Sequence, residues 1–150
     1  MTRSCHICRP KILLVEDNFL VRFDLVLGLE DHGFTVIDAG SAEQALEMIC
    51  TDDEPPFEVV VTDINLGAGI DGMQFADRLR SRWPDLAIVF ISGDVGQLRW
   101  RPPHPFECHL GKPCGVTELD EAISRLIRTY AAPAGSPPHC CGRAARQTLS

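Results

Sequence analysis

Apolar positions follow two rhythms along this chain. Short unbroken apolar runs alternate with stretches in which apolar residues recur every three or four positions. The unbroken runs are Lys11–Val15 (KILLV), Phe34–Ala39 (FTVIDA), Phe57–Thr62 (FEVVVT) and Leu86–Ile91 (LAIVFI), with a weaker one at Phe106–Leu110. Runs of this length with little polar interruption read as strands buried on both faces of a parallel sheet. Helical spacing marks Phe19–His32, Ser41–Cys50, Asp71–Arg82 and Thr117–Tyr130. In the first helix the inner stripe is read as Leu20, Phe23 and Leu27, widened by Val21, Leu25 and Leu29. Asn18, Ser41 and Thr117 are the expected caps, Ser41 with Gln44 forming a capping-box pattern, and Gly33 ends the first helix. A short helix is expected over Asp94–Trp100, because Pro102, Pro103 and Pro105 forbid a longer one.

Strand and helix thus alternate five times. The expected fold is α/β: a doubly wound five-stranded parallel sheet of flavodoxin-like order 2-1-3-4-5, with helices on both faces. Residues 1–10 read as a flexible lead-in, 11–130 as one domain, and 131–150 as a disordered C-terminal tail.

Composition narrows the function. With 150 residues the chain is long enough for a core without disulfides or metals, and its 45% hydrophobic and 23% charged residues are ordinary for a globular protein. A net charge of −7, with no run of Lys and Arg, disfavours direct nucleic-acid binding. No apolar stretch is long enough for a membrane span, and no signal peptide is recognisable. Seven cysteines without regular spacing favour a reducing cytoplasm over a disulfide scaffold. Cys5-His6-Ile7-Cys8 and His139-Cys140-Cys141 do not make a matched pair of zinc-binding halves.

In such a sheet, ligands bind beyond the carboxyl ends of the strands, near the point where strand order reverses. Glu16 and Asp17 follow the first strand, Asp63 the third, Ser92 the fourth and Lys112 the fifth. Carboxylates brought together repel unless a cation sits among them. A set of hard oxygens without His or Cys favours Mg²⁺. One carboxylate can then act as a nucleophile toward phosphorus, with Lys112 offsetting charge and Ser92 donating a hydrogen bond.

These residues lie in ILLVEDN (12–18), VVVTDINLGAGIDG (59–72), FISGD (90–94) and GKP (111–113), and with them the chain resembles the receiver domains of response regulators in two-component signalling. The resemblance runs from about Lys11 to about Tyr130. It implies that Asp63 is the phosphoacceptor and that Asp17, Asp63, the backbone carbonyl of Asn65 and, through water, Glu16 hold Mg²⁺. It implies that Ser92 is the switch hydroxyl, that Lys112 binds the phosphoryl group, and that the Lys112-Pro113 bond is cis. The side chains of Asn65 and Asp94 fall where the family tunes the lifetime of the phosphoryl group.

Three departures stand out. Gly67 replaces a frequent proline, in a loop one residue longer than usual. His109 occupies the aromatic switch position. The short fourth helix makes an unusual output face of helix four, strand five and helix five, which is also the candidate face for a homodimer. Trp100, between Arg99 and Arg101, is read as an apolar plug over that shortened helix, the alternative being an exposed anchor for a partner.

The resemblance implies a histidine kinase or histidine phosphotransfer protein as donor. Residues 131–150 carry no pattern of an output domain, and a downstream protein target, or service as a phosphate sink, is expected. The chain would catalyse only its own phosphorylation and dephosphorylation. A hydrolase built on an Asp nucleophile would carry a second acid close behind it, and position 65 is an amide. A receiver-like adaptor that is never phosphorylated would not need all the matched site residues.

Overall fold

The computed structural model describes residues 10–49 and 55–131. The lead-in, the tail and Cys50, with the cysteine and histidine pairs of both ends, lie outside the described residues apart from Pro10 and Ala131. The strands are β1 (Lys11–Val15), β2 (Thr35–Ala39), β3 (Val59–Asp63), β4 (Ala87–Ser92) and β5 (Glu107–Gly111). They form one parallel sheet of order β2-β1-β3-β4-β5, as expected. The helices are α1 (Phe19–Asp31), α2 (Ala42–Met48), α3 (Gly72–Arg82) and α4 (Val116–Ala131).

Every residue of β3 and β4 is buried, which explains why these runs carry no outward polar alternation. Successive side chains enter opposite cores. Leu13, Val60, Ile88 and Phe90 pack toward α2 and α3; Ile12, Leu14, Val61 and Val89 pack toward α1 and α4. Burying each large aliphatic side chain contributes about 1.5–3 kcal/mol. The sheet is therefore a stiff platform, with the carboxyl ends of all five strands on one rim.

Capping residues place the helices. The Asn18 side chain accepts from the Leu20 and Val21 N–H groups, and Ser41 Oγ accepts from the Gln44 N–H. Asp71 and Gln74 close a full capping box at α3. Gly33, at φ +96°, follows α1 in the left-handed conformation that lets the chain turn into β2. Thr117 is not a cap: α4 opens one residue earlier, and the Leu119 N–H donates to the Gly115 carbonyl.

Two larger differences concern faces. In α1 only Leu25 and Leu29 are buried, whereas Phe19, Leu20, Phe23 and Leu27 are 65%, 75%, 55% and 51% exposed. Apolar residues surround this helix, so periodicity does not fix its rotation. A polar anchor does: Arg22 donates to the Glu16 carbonyl at 2.7 Å and pairs with Asp38 at 3.0 Å, which turns its side of α1 toward the sheet. At about 100° per residue, positions 19, 20, 23 and 27 then share one outward arc.

The second difference lies between β4 and β5. The expected short helix is a single 3₁₀ turn, Val95–Leu98, capped by Asp94. Trp100 is exposed and plugs nothing. Arg101 covers the sheet instead. Its guanidinium lies 4.9 Å from the centre of the Phe90 ring and is held by Glu107 and Asp77.

Candidate functional site

Parallel register brings the strand ends together. Glu16 leaves β1, Asp63 ends β3, Ser92 ends β4 and Lys112 follows β5, its N–H bonded to the Ser92 carbonyl at 2.8 Å. Glu16 and Asp63 are almost completely buried, at 2% and 4% exposure, while Asp17 is exposed. Carboxylate oxygens of all three lie within 4.8 Å of one another.

The Lys112 ammonium donates to the Asp63 carboxylate and stands 3.7 Å from Glu16. Burial works against the Lys112 charge, but the hydrogen bond and the attraction of Asp63 outweigh it and raise its pKa. Burial is the main reason that the Glu16 carboxyl is pushed up to about 7. The Asn18 N–H, donating at 3.1 Å, pulls it down, Asp63 pushes it up again, and Lys112 opposes that push. One ammonium among three crowded acids leaves net negative charge. A cluster of hard carboxylate oxygens without His or Cys fits a divalent cation of the oxygen-seeking kind.

The loop after β3 shapes access to Asp63. The Asn65 N–H donates to Asp63 Oδ1 at 3.0 Å, which holds the carboxylate in a fixed orientation. Gly67 has φ +73°, a value closed to proline, and a Cβ there would lie 3.4 Å from Asp17 Oδ2. Gly72 is needed for close approach: a Cβ would stand 2.1 Å from the Asp63 carbonyl oxygen. Glu43 of α2 ties the extended loop by accepting from the Ile70 N–H at 2.7 Å. That bond lowers the Glu43 pKa.

Ser92 is buried beside the site, but its hydroxyl is engaged in its own turn. It accepts from the Asp94 N–H at 3.0 Å and lies 2.9 Å from the Asp94 carbonyl and 3.2 Å from Gln97 Oε1. The Asp94 carboxylate caps the 3₁₀ turn through the Gly96 N–H at 2.9 Å. His109 is exposed on the sheet face that a fourth helix would roof, and its ring meets Phe90 edge to face at 5.3 Å. Partial desolvation of this otherwise exposed ring where it packs lowers the His109 pKa, although Glu107 nearby works the other way. The Lys112-Pro113 bond is cis, as the resemblance implies.

The structure thus gathers Glu16, Asp17, Asp63 and Lys112 into one cluster. Asn65 and Ser92 line its edge, and Asp94 and His109 stand outside it. Sequence reasoning missed Gln97 and Glu43. Gln97 lies within a short turn and carries no motif, and Glu43 reads as an ordinary first-turn acid of α2.

Comparison with known proteins agrees with this geometry. A family model described as the response regulator receiver domain matches residues 12–101. The chain is 40% identical over 124 residues to the transcriptional activator protein ExaE of Pseudomonas putida, covering 80% of this chain and 56% of that protein. It is 37% identical over 118 residues to the sensor kinase CckA of Brucella abortus (strain 2308), covering 77% of this chain and 12% of the kinase. The chain therefore spans about half or less of the length of these relatives. A response regulator receiver protein from Sinorhizobium medicae WSM419 superposes with a TM-score of 0.72 at 31% identity, covering 81% of this chain and 97% of that one. Sheet order, acidic cluster and family match converge on one assignment: the chain belongs to the response regulator receiver domain family of two-component systems.

Proposed function

We propose that Asp63 is the phosphoacceptor and that the domain works as a phosphorylation switch in the cytoplasm, without turnover of any other substrate. The observation that carries this reading is the Lys112 ammonium seated on a buried Asp63 carboxylate, with Glu16 and Asp17 beside it. Mg²⁺ is the cation proposed for the cluster, held by Asp17, Asp63 and the Asn65 carbonyl, with Glu16 acting through water. When bound, it would neutralise charge on the transferring phosphoryl group.

The chain's own groups do the rest. An Asp63 oxygen attacks phosphorus, an O–P bond forms, and the P–N bond of a donor phosphohistidine breaks, with the imidazole leaving as the base that takes up a proton. The Asn65 N–H orients the nucleophile, Lys112 holds a phosphoryl oxygen, and the Ser92 hydroxyl turns to donate to another. The phosphorylated site then biases the Ser92 turn and the segment up to His109. Output runs through a downstream protein contact or through draining phosphoryl groups.

The donor is a histidine kinase or histidine phosphotransfer protein. Its imidazole must reach Asp63, so the donor must lie along this rim. The exposed apolar arc of Phe19, Leu20, Phe23 and Leu27 starts two residues after Asp17 and is the surface proposed to seat it. A cavity of about 480 Å³ adjoins α1, bounded by Glu16, Val21, Leu25, Lys112, Pro113 and Cys114. It offers a recess for a donor side chain.

The test is incubation with a small phosphodonor and Mg²⁺, followed by intact mass and acid-stability analysis. One phosphoryl group is expected on the wild type and none on Asp63→Asn. Labelling that persists in the variant would reject the assignment.

A further inference from the structure

The turn after β4 leans back over the rim. Because a single 3₁₀ turn replaces a helix there, Gln97 returns toward the site instead of riding outward along a helical rod. Its carboxamide makes two contacts. The oxygen Oε1 lies 3.2 Å from the Ser92 hydroxyl, and Nε2 donates to the Asn65 side-chain oxygen at 3.4 Å. The Gln97 N–H donates to the Asp94 carbonyl at 3.2 Å, which keeps the side chain's starting point fixed. Gln97 thus spans from β4 to the loop that follows β3, joining the residue two after Asp63 to the hydroxyl at the end of β4.

The hydroxyl has one proton to donate. In this arrangement its acceptors are the Asp94 carbonyl and Gln97 Oε1, and both lie within its own turn. A phosphoryl group on Asp63 can recruit Ser92 only if the hydroxyl lets go of them. We propose that Gln97 is a positioning residue that latches Ser92 in its unphosphorylated arrangement and fastens the latch to Asn65, so that phosphorylation must open the Ser92–Gln97–Asn65 bridge. The inference rests on Asp63 being the phosphoacceptor. It adds a residue that sets how readily Asp63 is charged, and it gives the shortened connection a purpose: the 3₁₀ turn is what brings Gln97 within reach.

The bridge predicts a coupling, not simply an effect. Removing the carboxamide takes away one of the two acceptors of the Ser92 hydroxyl together with the tie to Asn65, at the scale of one neutral hydrogen bond, and leaves only the Asp94 carbonyl to be released. Gln97→Ala should therefore accept phosphoryl groups from a small donor about three- to ten-fold faster than wild type. In the Ser92→Ala background the same substitution should change the rate by less than about two-fold, since the group to be released is gone. Backbone amide resonances of residues 92–95 in unphosphorylated Gln97→Ala should shift toward the positions they take in wild type bound to beryllofluoride. Equal acceleration with and without Ser92, or no acceleration in a variant whose wild-type parent is labelled, would overturn the latch and leave the Asp63 assignment standing. A wild type that is never labelled removes the assignment itself, and the latch with it.

Discussion

Arg101 grips Glu107 with a forked hydrogen bond, Nε to Oε2 and Nη2 to Oε1, each at 2.8 Å. The same guanidinium lies over the Phe90 ring, and Glu107 is nearly buried. A missing helix is replaced here by one planar cation. Arg101→Ala is expected to cost about 3 kcal/mol in urea unfolding, the low end for breaking a buried pair, because Arg80 still reaches Glu107 at 3.0 Å. Arg101→Lys should recover little of it, since an ammonium has no fork and does not stack. A loss below about 1 kcal/mol would mean that the ring and the turn hold themselves.

The same pair sets an acid limit. Burial pushes the Glu107 carboxyl up, but the hydrogen bonds from Arg101 and Arg80 more than offset it and hold the pKa below the ordinary value. A depressed carboxylate stabilises the fold above its unfolded pKa of about 4.3, and that contribution fades as pH falls through the folded value. The stability gap between wild type and Glu107→Gln should thus be full at neutral pH and narrow progressively as pH falls below about 4.3 toward the lower folded pKa. Unfolding titrations at several pH values check this; a gap that does not change with pH contradicts it.

Lys112 and a bound cation compete for the same carboxylate. Lys112→Met should tighten Mg²⁺ binding, by roughly ten-fold on removal of one positive charge close to the site, while slowing phosphoryl acceptance. Calorimetric Mg²⁺ titration and labelling kinetics read the two effects separately. If both fall together, the lysine is organising the acids rather than opposing the ion.

The outward arc of α1 should matter only to a macromolecular donor. Phe23→Asp places a charge in the middle of that arc, 6.2 Å ring to ring from Phe19 in the parent. Transfer from the cognate kinase or phosphotransfer protein is expected to slow at least about ten-fold, the loss of one well-packed aromatic anchor. Labelling by a small donor should stay within about two-fold. Equal losses with both donors would mean that the substitution disturbs the site.

Much of this could be read before any coordinates. Buried strands such as KILLV and LAIVFI carry their assignment in uninterrupted apolar runs, and the acids and the lysine announce themselves by standing just past those runs. The face of α1 could not be read, because leucine, valine and phenylalanine surround the helix and the deciding residue is polar: Arg22, tied to the Glu16 carbonyl. Three prolines correctly limited the helix between β4 and β5, which is a single turn. That Arg101 rather than Trp100 would cover Phe90 depends on which neighbour reaches back to Glu107 and Asp77, and that is a property of tertiary distance. Gln97 was invisible for the same reason.

One consequence follows from the way β4 is joined to β5. From Gly93 to Pro105 the chain has a single buried apolar anchor among its described side chains, Leu98; the rest of its hold is polar, from the hydrogen bonds of Asp94 and Gln97 to the ion pairs of Arg101. Dissolved electrolyte reaches only the exposed Asp77 arm of that cation; the fork on Glu107 is shielded from it, as is the oily interior around β3. The strap between β4 and β5 therefore has an outer tie that answers to ionic strength and an inner one that ignores it.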